Sequence, residues 1–306
     1  MSAKIVVVGS FNADLTTYME RMPRPGETVH GREFVTGPGG KGSNQAVAAA
    51  RLGAQVAFIG RVGQDSFGEM ALRLWQAEGI DTTYVTRDPE VATGVAPIFV
   101  DDSGENTIVV VLGANLRLSP ADIDRAEAVI AQADLLLAQL EIPLETTIHA
   151  LKIARRHSVR TVLNPAPAEA LDPAVTALAD YLTPNQSELQ TLFGVGADQL
   201  DRVSLAAGQT LVLTAGSKGA YWRDESGTGQ VPSFAVNVVD TTGAGDAFNA
   251  GLAVALAEGQ ALPAALTFAN ATAALCVTRP GTAPSMPQRH EVDALLANNT
   301  PMSHVE

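Results

Sequence analysis

Two aspartates and two glycines fall within seven residues in the stretch Asp240-Thr-Thr-Gly-Ala-Gly-Asp246. An apolar run, Phe234 to Val239, leads in and reads as a strand; an alanine-rich run, Ala247 to Ala257, leads out and reads as a helix. Gly243 and Gly245 let the backbone turn sharply and leave bare amide N–H groups at the helix start. Such a start attracts anions through its unpaired donors and its dipole. Asp246 would repel a phosphate, so it makes a poor ligand for one. It makes a good base, taking a proton from a hydroxyl that attacks the phosphate. The candidate chemistry is therefore an anion hole at Gly243, Ala244 and Gly245 beside a base. The plain alternative is a glycine turn followed by an ordinary first-turn acid.

A second glycine run, Gly37-Pro-Gly-Gly-Lys-Gly42, literally matches G-x-G-x-x-G. A dinucleotide site needs a buried strand just before it and an acid about 20 residues later. The preceding GREFVT is a poor strand, and the next strand, Val56 to Gly60, ends at Arg61, which leaves only an NADP-type oxidoreductase as an alternative. Lys41 is not part of a GK[ST] signature, so this is no Walker loop. Gly39 to Asn44 opens an alanine-rich helix that ends at Gly53.

The elements around these stretches alternate. Ile5 to Gly9 is a continuous β-branched run of the kind found in buried parallel strands, and Asn12 and Asp14 follow at its carboxyl end, where open α/β sheets place ligand groups. Glu141 stands in the same relation to the strand Leu135–Leu140. Ser66-x-x-Glu69 reads as a capping box opening a helix that stops near Gly79, and Ser119-Pro120 opens another. A helix to about His157 and the strand Val159 to Leu163 continue the rhythm. Asn185-x-x-Glu188 is an N-cap with Glu at N3. The rhythm implies an α/β fold, a mostly parallel sheet with helices on both faces.

Two polar, Pro/Gly-punctuated segments interrupt it, Leu15 to Thr36 and Thr93 to Leu112, the latter turning at Asp101–Gly104. They suggest one small sheet built from both, covering the site as a lid. The expected division is 1–14, 38–92 and 113–306 for the core, with 15–37 and 93–112 for the lid. The polar tail from about Asn298 is expected to fray.

Bulk properties exclude several classes. A formal charge of −13 argues against nucleic acid or anionic membrane as partner. No apolar run reaches the ~20 residues of a membrane span. The start, MSAKIVVVGS, holds an apolar run too short for a signal peptide, so a cytoplasmic protein is expected. One cysteine excludes an internal disulfide, and the five histidines lack metal-ligand spacing.

The motifs GSFNAD, GPGGKGSNQAVAAARLG, LNPAP, TPNQSE, TAGSKG, TTGAGD and VTRPGTAPS occur in that order over nearly the whole chain. In this the chain resembles the ribokinase family of sugar kinases (the PfkB family). The resemblance implies a ribokinase-like three-layer sandwich with a β lid that often pairs with a second subunit's, hence a homodimer. It implies phosphoryl transfer from MgATP to a primary hydroxyl of a furanose, O5 of D-ribose foremost, with fructose, fructose phosphate, a ketodeoxy acid or a nucleoside as alternatives. A sugar-binding sensor without catalysis is a remoter one. By the same resemblance Asn12, Asp14, Gly40, Lys41, Gly42, Ser43, Asn44, Glu141 and Asp246 bind the sugar. Asn185 reaches the nucleotide phosphates, and Glu188 places magnesium through water. Thr214, Ala215, Gly216, Ser217, Lys218 and Gly219 form the nucleotide loop, Gly245 meets the phosphates and Asn270 lines the adenine pocket. A potassium site is implied as well, with side-chain oxygens from Asp240 and Ser285 and mainly backbone carbonyls from Thr242, Cys276, Arg279 and Gly281. Two departures stand out: Ala215 occupies a position where leucine is usual, and Gly196 to Thr210 is shorter than the family commonly has, which puts the surface helix there in question.

Overall fold

The structure is a computed structural model describing residues 2–298, so the tail expected to fray lies almost wholly outside the described residues. In chain order the strands begin with β1 (Lys4–Val8), β2 (Asn12–Met19), β3 (Gly31–Gly39), β4 (Gln55–Gly63) and β5 (Asp81–Asp88). There follow β6 (Gly94–Val100), β7 (Asn106–Ile108), β8 (Leu135–Ala138) and β9 (Arg160–Leu163). The last are β10 (Tyr181–Leu182), β11 (Thr210–Thr214), β12 (Ala220–Asp224) and β13 (Gly227–Val231).

Nine strands form the main sheet in the order β13-β12-β11-β10-β9-β8-β1-β4-β5. It is parallel except where β12 pairs antiparallel with β11 and β13. Alternation along β1 explains its central place. Ile5 and Val7 join one hydrophobic cluster while Val6 and Val8 join the cluster on the opposite face. Each face therefore needs its own helical layer. The first is covered by the helices Lys41–Arg51, Ser66–Ala77, Ala244–Ala257 and Leu262–Cys276, the second by Pro120–Arg125 and Leu144–Arg156. The expected α/β sandwich is thus present. Among the described residues no helix is long and apolar enough to cross a membrane.

The two interruptions form a separate four-stranded sheet, β3-β2-β6-β7, antiparallel except for the parallel pair β2–β6. One of its faces stays bare, with Phe34 62% and Val111 55% exposed.

Three local expectations are corrected. GREFVT is not a poor strand: it belongs to β3, but its residues are exposed and lie in the small sheet. The buried strand required by a dinucleotide site is therefore missing there. Phe234–Val239 is not a strand. It follows β13 without joining a ladder, Val238 and Val239 are exposed, and the Val239 amide donates to the Val277 carbonyl instead. The Ser66–Ala77 helix is capped by Asp65, whose carboxylate accepts from the Phe67 and Gly68 amides, while Glu69 pairs with Arg87. The capping boxes at Ser119 and Asn185 do form.

Candidate active site

The two glycine runs both open helices, and their amides meet different fates. At the start of the Lys41–Arg51 helix, the Lys41 amide donates to Glu141 Oε2 (3.0 Å) and the Ser43 amide to the Ser10 carbonyl (2.8 Å). Glu141 also accepts from Ser10 Oγ (2.5 Å) and Asn12 Nδ2 (3.3 Å). No free amide cluster remains there for a phosphate, which closes the dinucleotide reading. The glycines serve close approach: a Cβ on Gly42 would lie 2.5 Å from the Ser10 nitrogen, and one on Gly40, at φ +87°, 2.5 Å from the Asn12 nitrogen. A Cβ on Gly39 would lie 2.3 Å from the Asp14 carboxylate. The run thus seats a helix start directly on the backbone that carries Asn12 and Asp14.

At the Ala244–Ala257 helix the opposite holds. Gly243, in the left-handed region at φ +80°, is the N-cap and supplies no side chain. Ala244 N reaches the Thr241 carbonyl at 3.3 Å, but the Gly245 and Asp246 amides have no acceptor among the described residues. Free amides at a helix start have the geometry and the polarity to accept an anion.

Asp246 sits beside those amides, 7% exposed. Its Oδ2 accepts from Asn44 Nδ2 and its Oδ1 from Gln45 Nε2, each at 2.9 Å. Burial raises its pKa; the Lys41 charge and the two amides oppose that, and Glu141 adds to it. Lys41 is itself pulled down by burial, but Asp246, Glu141 and Glu188 together outweigh this and hold it charged. Asp14 is raised to about 6, by burial first and then by Glu141 and Asp246, against the hydrogen bond from Thr282 Oγ1 (3.0 Å). Asn44 Oδ1 is buried with no protein partner, an acceptor waiting beside the base for a hydroxyl or amine from outside.

A cavity of about 340 Å³ opens from these amides. Lys41, Asn185, Glu188, Thr214, Gly216, Gly219, Gly243, Ala244, Gly245, Asp246 and Asn270 line it. Asn270 Nδ2 donates to the Val231 and Pro232 carbonyls, both at 3.1 Å, fixing its far wall. Glu188 keeps both oxygens on Asn185, one on its amide and one on its Nδ2 (2.8 Å each), and burial raises its pKa. Of the expected loop, Ala215, Ser217 and Lys218 do not line the cavity; Ser217 and Lys218 face solvent. Asn12, Asp14 and Glu141 do not line this cavity, although the Glu141 and Asp14 carboxylates are near enough to Asp246 to act on its charge.

The segments expected around a cation also meet. Asp240 Oδ2 accepts from the Gly281 amide and Oδ1 from the Thr242 amide, each at 2.9 Å. Cys276 Sγ lies 3.1 Å from Ser285 Oγ and 3.9 Å from the Thr242 carbonyl oxygen. Burial pushes this thiol up to about 11, so it stays neutral and offers no thiolate. The Arg279 guanidinium pairs with Glu291, leaving only its backbone for the cluster.

Several site residues escape sequence reading. Gln45 and Gln139 are linked at 2.5 Å, and Asn164 and Thr183 belong to LNPAP and TPNQSE, motifs in which neither side chain has an assigned role. Asn249 Nδ2 holds the Gly245 carbonyl (2.8 Å), and Thr282 joins the cation cluster to Asp14. Gln45, Asn164, Thr183 and Thr282 lie inside quoted motifs without a role read for them, while Gln139 and Asn249 merely lie near one.

Known proteins resemble the chain over nearly its whole length. The model of the pfkB family carbohydrate kinases matches residues 2–289. The chain is 44% identical over 293 residues to the ribokinase of Bacillus subtilis, covering 96% of this chain and 99% of that one. It is 41% identical over 303 residues to the deoxyribokinase of Salmonella typhi, again covering 96% and 99%. The structure of Arabidopsis thaliana ribokinase complexed with ribose and ATP matches with a TM-score of 0.87 and 33% identity, covering 97% of this chain and 99% of that one. The chain belongs to the pfkB family of carbohydrate kinases and is an ATP-dependent sugar kinase.

Proposed function

We propose that this kinase phosphorylates D-ribose at O5, by direct in-line transfer from ATP with Asp246 as the base. The observation that carries the reading is the juxtaposition of free Gly245 and Asp246 amides with a buried carboxylate whose far side meets Asn44. Asp14, Asn12, Lys41, Asn44 and Glu141 hold the sugar on one side of that carboxylate, and the cavity holds the nucleotide on the other. The 5-hydroxyl gives its proton to Asp246 as its oxygen attacks the γ-phosphorus, the bond from that phosphorus to the β,γ-bridging oxygen breaks, and ADP leaves. The loop amides and charged Lys41 offset the charge on the moving group.

Magnesium, when bound, would neutralise charge on the phosphates. Asn185 and Glu188 would hold it through water, because both Glu188 oxygens already accept hydrogen bonds and both residues line the cavity. Asp240, Ser285 and the carbonyls of Thr242, Cys276, Arg279 and Gly281 suit a potassium ion, which takes neutral and anionic oxygens. Residues 15–37 and 93–112 form a lid whose bare face pairs with a second copy in a homodimer.

A second reading, 2-deoxyribose as acceptor, is favoured by the deoxyribokinase relative. A coupled ADP assay over ribose, 2-deoxyribose, fructose and a nucleoside separates them: the largest kcat/KM belongs to ribose under the first reading. Asp246→Asn is expected to lose at least about 10²-fold in kcat with little change in ribose affinity. Near-normal turnover in that variant removes Asp246 as the base.

A further inference from the structure

Gln45 follows Asn44 on the same helix and is fully buried. Its Nε2 donates to Asp246 Oδ1 (2.9 Å) and to Asn164 Oδ1 (3.1 Å), which uses both of its hydrogens. Its Oε1 accepts from Gln139 Nε2 at 2.5 Å. We propose that Gln45 is a positioning residue for the transfer, orienting the Asp246 carboxylate and stabilising its charge through an amide chain of fixed polarity.

The polarity follows from the chemistry of the partners. An ionised carboxylate only accepts, so the end of Gln45 that meets it is the nitrogen. The oxygen end then requires a donor, and Gln139 supplies one. Supplying it leaves Gln139 Oε1 buried without a partner, crowded against Gly9, where a Cβ would come within 2.2 Å of it. An orphaned amide oxygen costs stability. Packing alone has no use for that arrangement, whereas a chain directed at Asp246 does.

The charges around Asp246 show why such a chain matters. Lys41 acts on it from the start of the helix that carries Gln45, while Glu141 after β8, Asp14 on β2, Glu188 on the Gln186–Phe193 helix and the neutral Cys276 thiol on the Leu262–Cys276 helix complete its titratable surroundings. One cation stands against three further carboxylates. Neutral amides from Asn44 and Gln45, one on each carboxylate oxygen, make up the difference and set the plane of the base.

The inference rests on Asp246 being the base. Its test is the pH dependence of kcat for Gln45→Met, which keeps the side-chain length and removes the donor, at saturating MgATP and ribose. The acid limb is expected to move up by about one pH unit. The loss of about tenfold on the acid side should then shrink to about twofold on the alkaline plateau, with KM for MgATP unchanged. A kcat lowered equally at every pH, the mark of a packing defect, overturns the proposal. Gln139→Met removes both the donor to Gln45 and the orphaned oxygen; it should fold and show a smaller shift in the same direction. Should Gln45→Met fail to fold, an unmoved limb in Gln139→Met overturns the proposal by itself. Asp246→Asn separates the two layers: an inactive Asp246→Asn with an unshifted Gln45→Met limb discards the Gln45 role alone, whereas an active Asp246→Asn discards both.

Discussion

Replacing Asp14 by asparagine should make the sugar-free protein more stable at neutral pH while making it bind sugar less well. Asp14 is part-buried, and burial with the nearby Glu141 and Asp246 charges raises it from 3.8 to about 6. The folded state therefore holds its proton more tightly than the unfolded chain. As pH rises from 3.8 to about 6, the unfolded chain releases the proton first and stability falls; above that window the loss is complete. Roughly two pH units at 1.36 kcal/mol each give about 3 kcal/mol, and partial access to water brings this to about 2–3 kcal/mol. The asparagine side chain retains an oxygen for the Thr282 hydroxyl and carries no charge. Thermal unfolding of the two proteins should differ by about 5 °C at pH 7.5 and hardly at all near pH 4. Isothermal titration at pH 7.5 should show ribose binding weakened by about tenfold or more, since a charge-assisted hydrogen bond is lost. An Asp14→Asn variant no more stable than wild type at pH 7.5 would refute the electrostatic reasoning, and unchanged ribose affinity would dismiss Asp14 as a sugar ligand.

Three further outcomes are expected. Gly42→Ala places a methyl 2.5 Å from the Ser10 nitrogen, against backbone that cannot swing aside, so it should cost about 1–3 kcal/mol and weaken sugar binding; a wild-type melting temperature would contradict this. Exchanging potassium for sodium in the coupled assay should lower kcat, because the cluster of Asp240, Thr242 and Gly281 adjoins the Gly243 turn; equal rates would remove the cation role. Phe34→Glu puts a charge on the bare face of the small sheet, where Phe34 is 62% exposed, and light scattering should find the monomer favoured. An unaltered dimer would locate the contact elsewhere.

Much of this architecture was readable in the chain itself. The β-branched run of β1, the βαβα rhythm and the Asn185–Glu188 box each depend on local pattern, and each forms. Asp246 could be singled out because a carboxylate beside a glycine-rich helix start is odd for an anion ligand and apt for a base. Apolar content misled at Phe234–Val239, where six residues suited to a strand lie beyond the last strand of the sheet. β propensity describes a fit to a half-buried surface, and no surface was there to fit.

What sequence alone could not show is which of two similar glycine turns keeps its amides free. Both open alanine-rich helices, and both leave unpaired amides by construction. Glu141, 100 residues beyond Lys41 in the bend after β8, and Ser10 fill the first turn, and none of the described residues fills the second. The partner of Asp246 is equally remote, since Gln45 lies 201 residues away. Residue type and spacing specify which groups a local segment offers. Which of those groups stay free, and what faces them, is settled only when distant segments are packed into one volume.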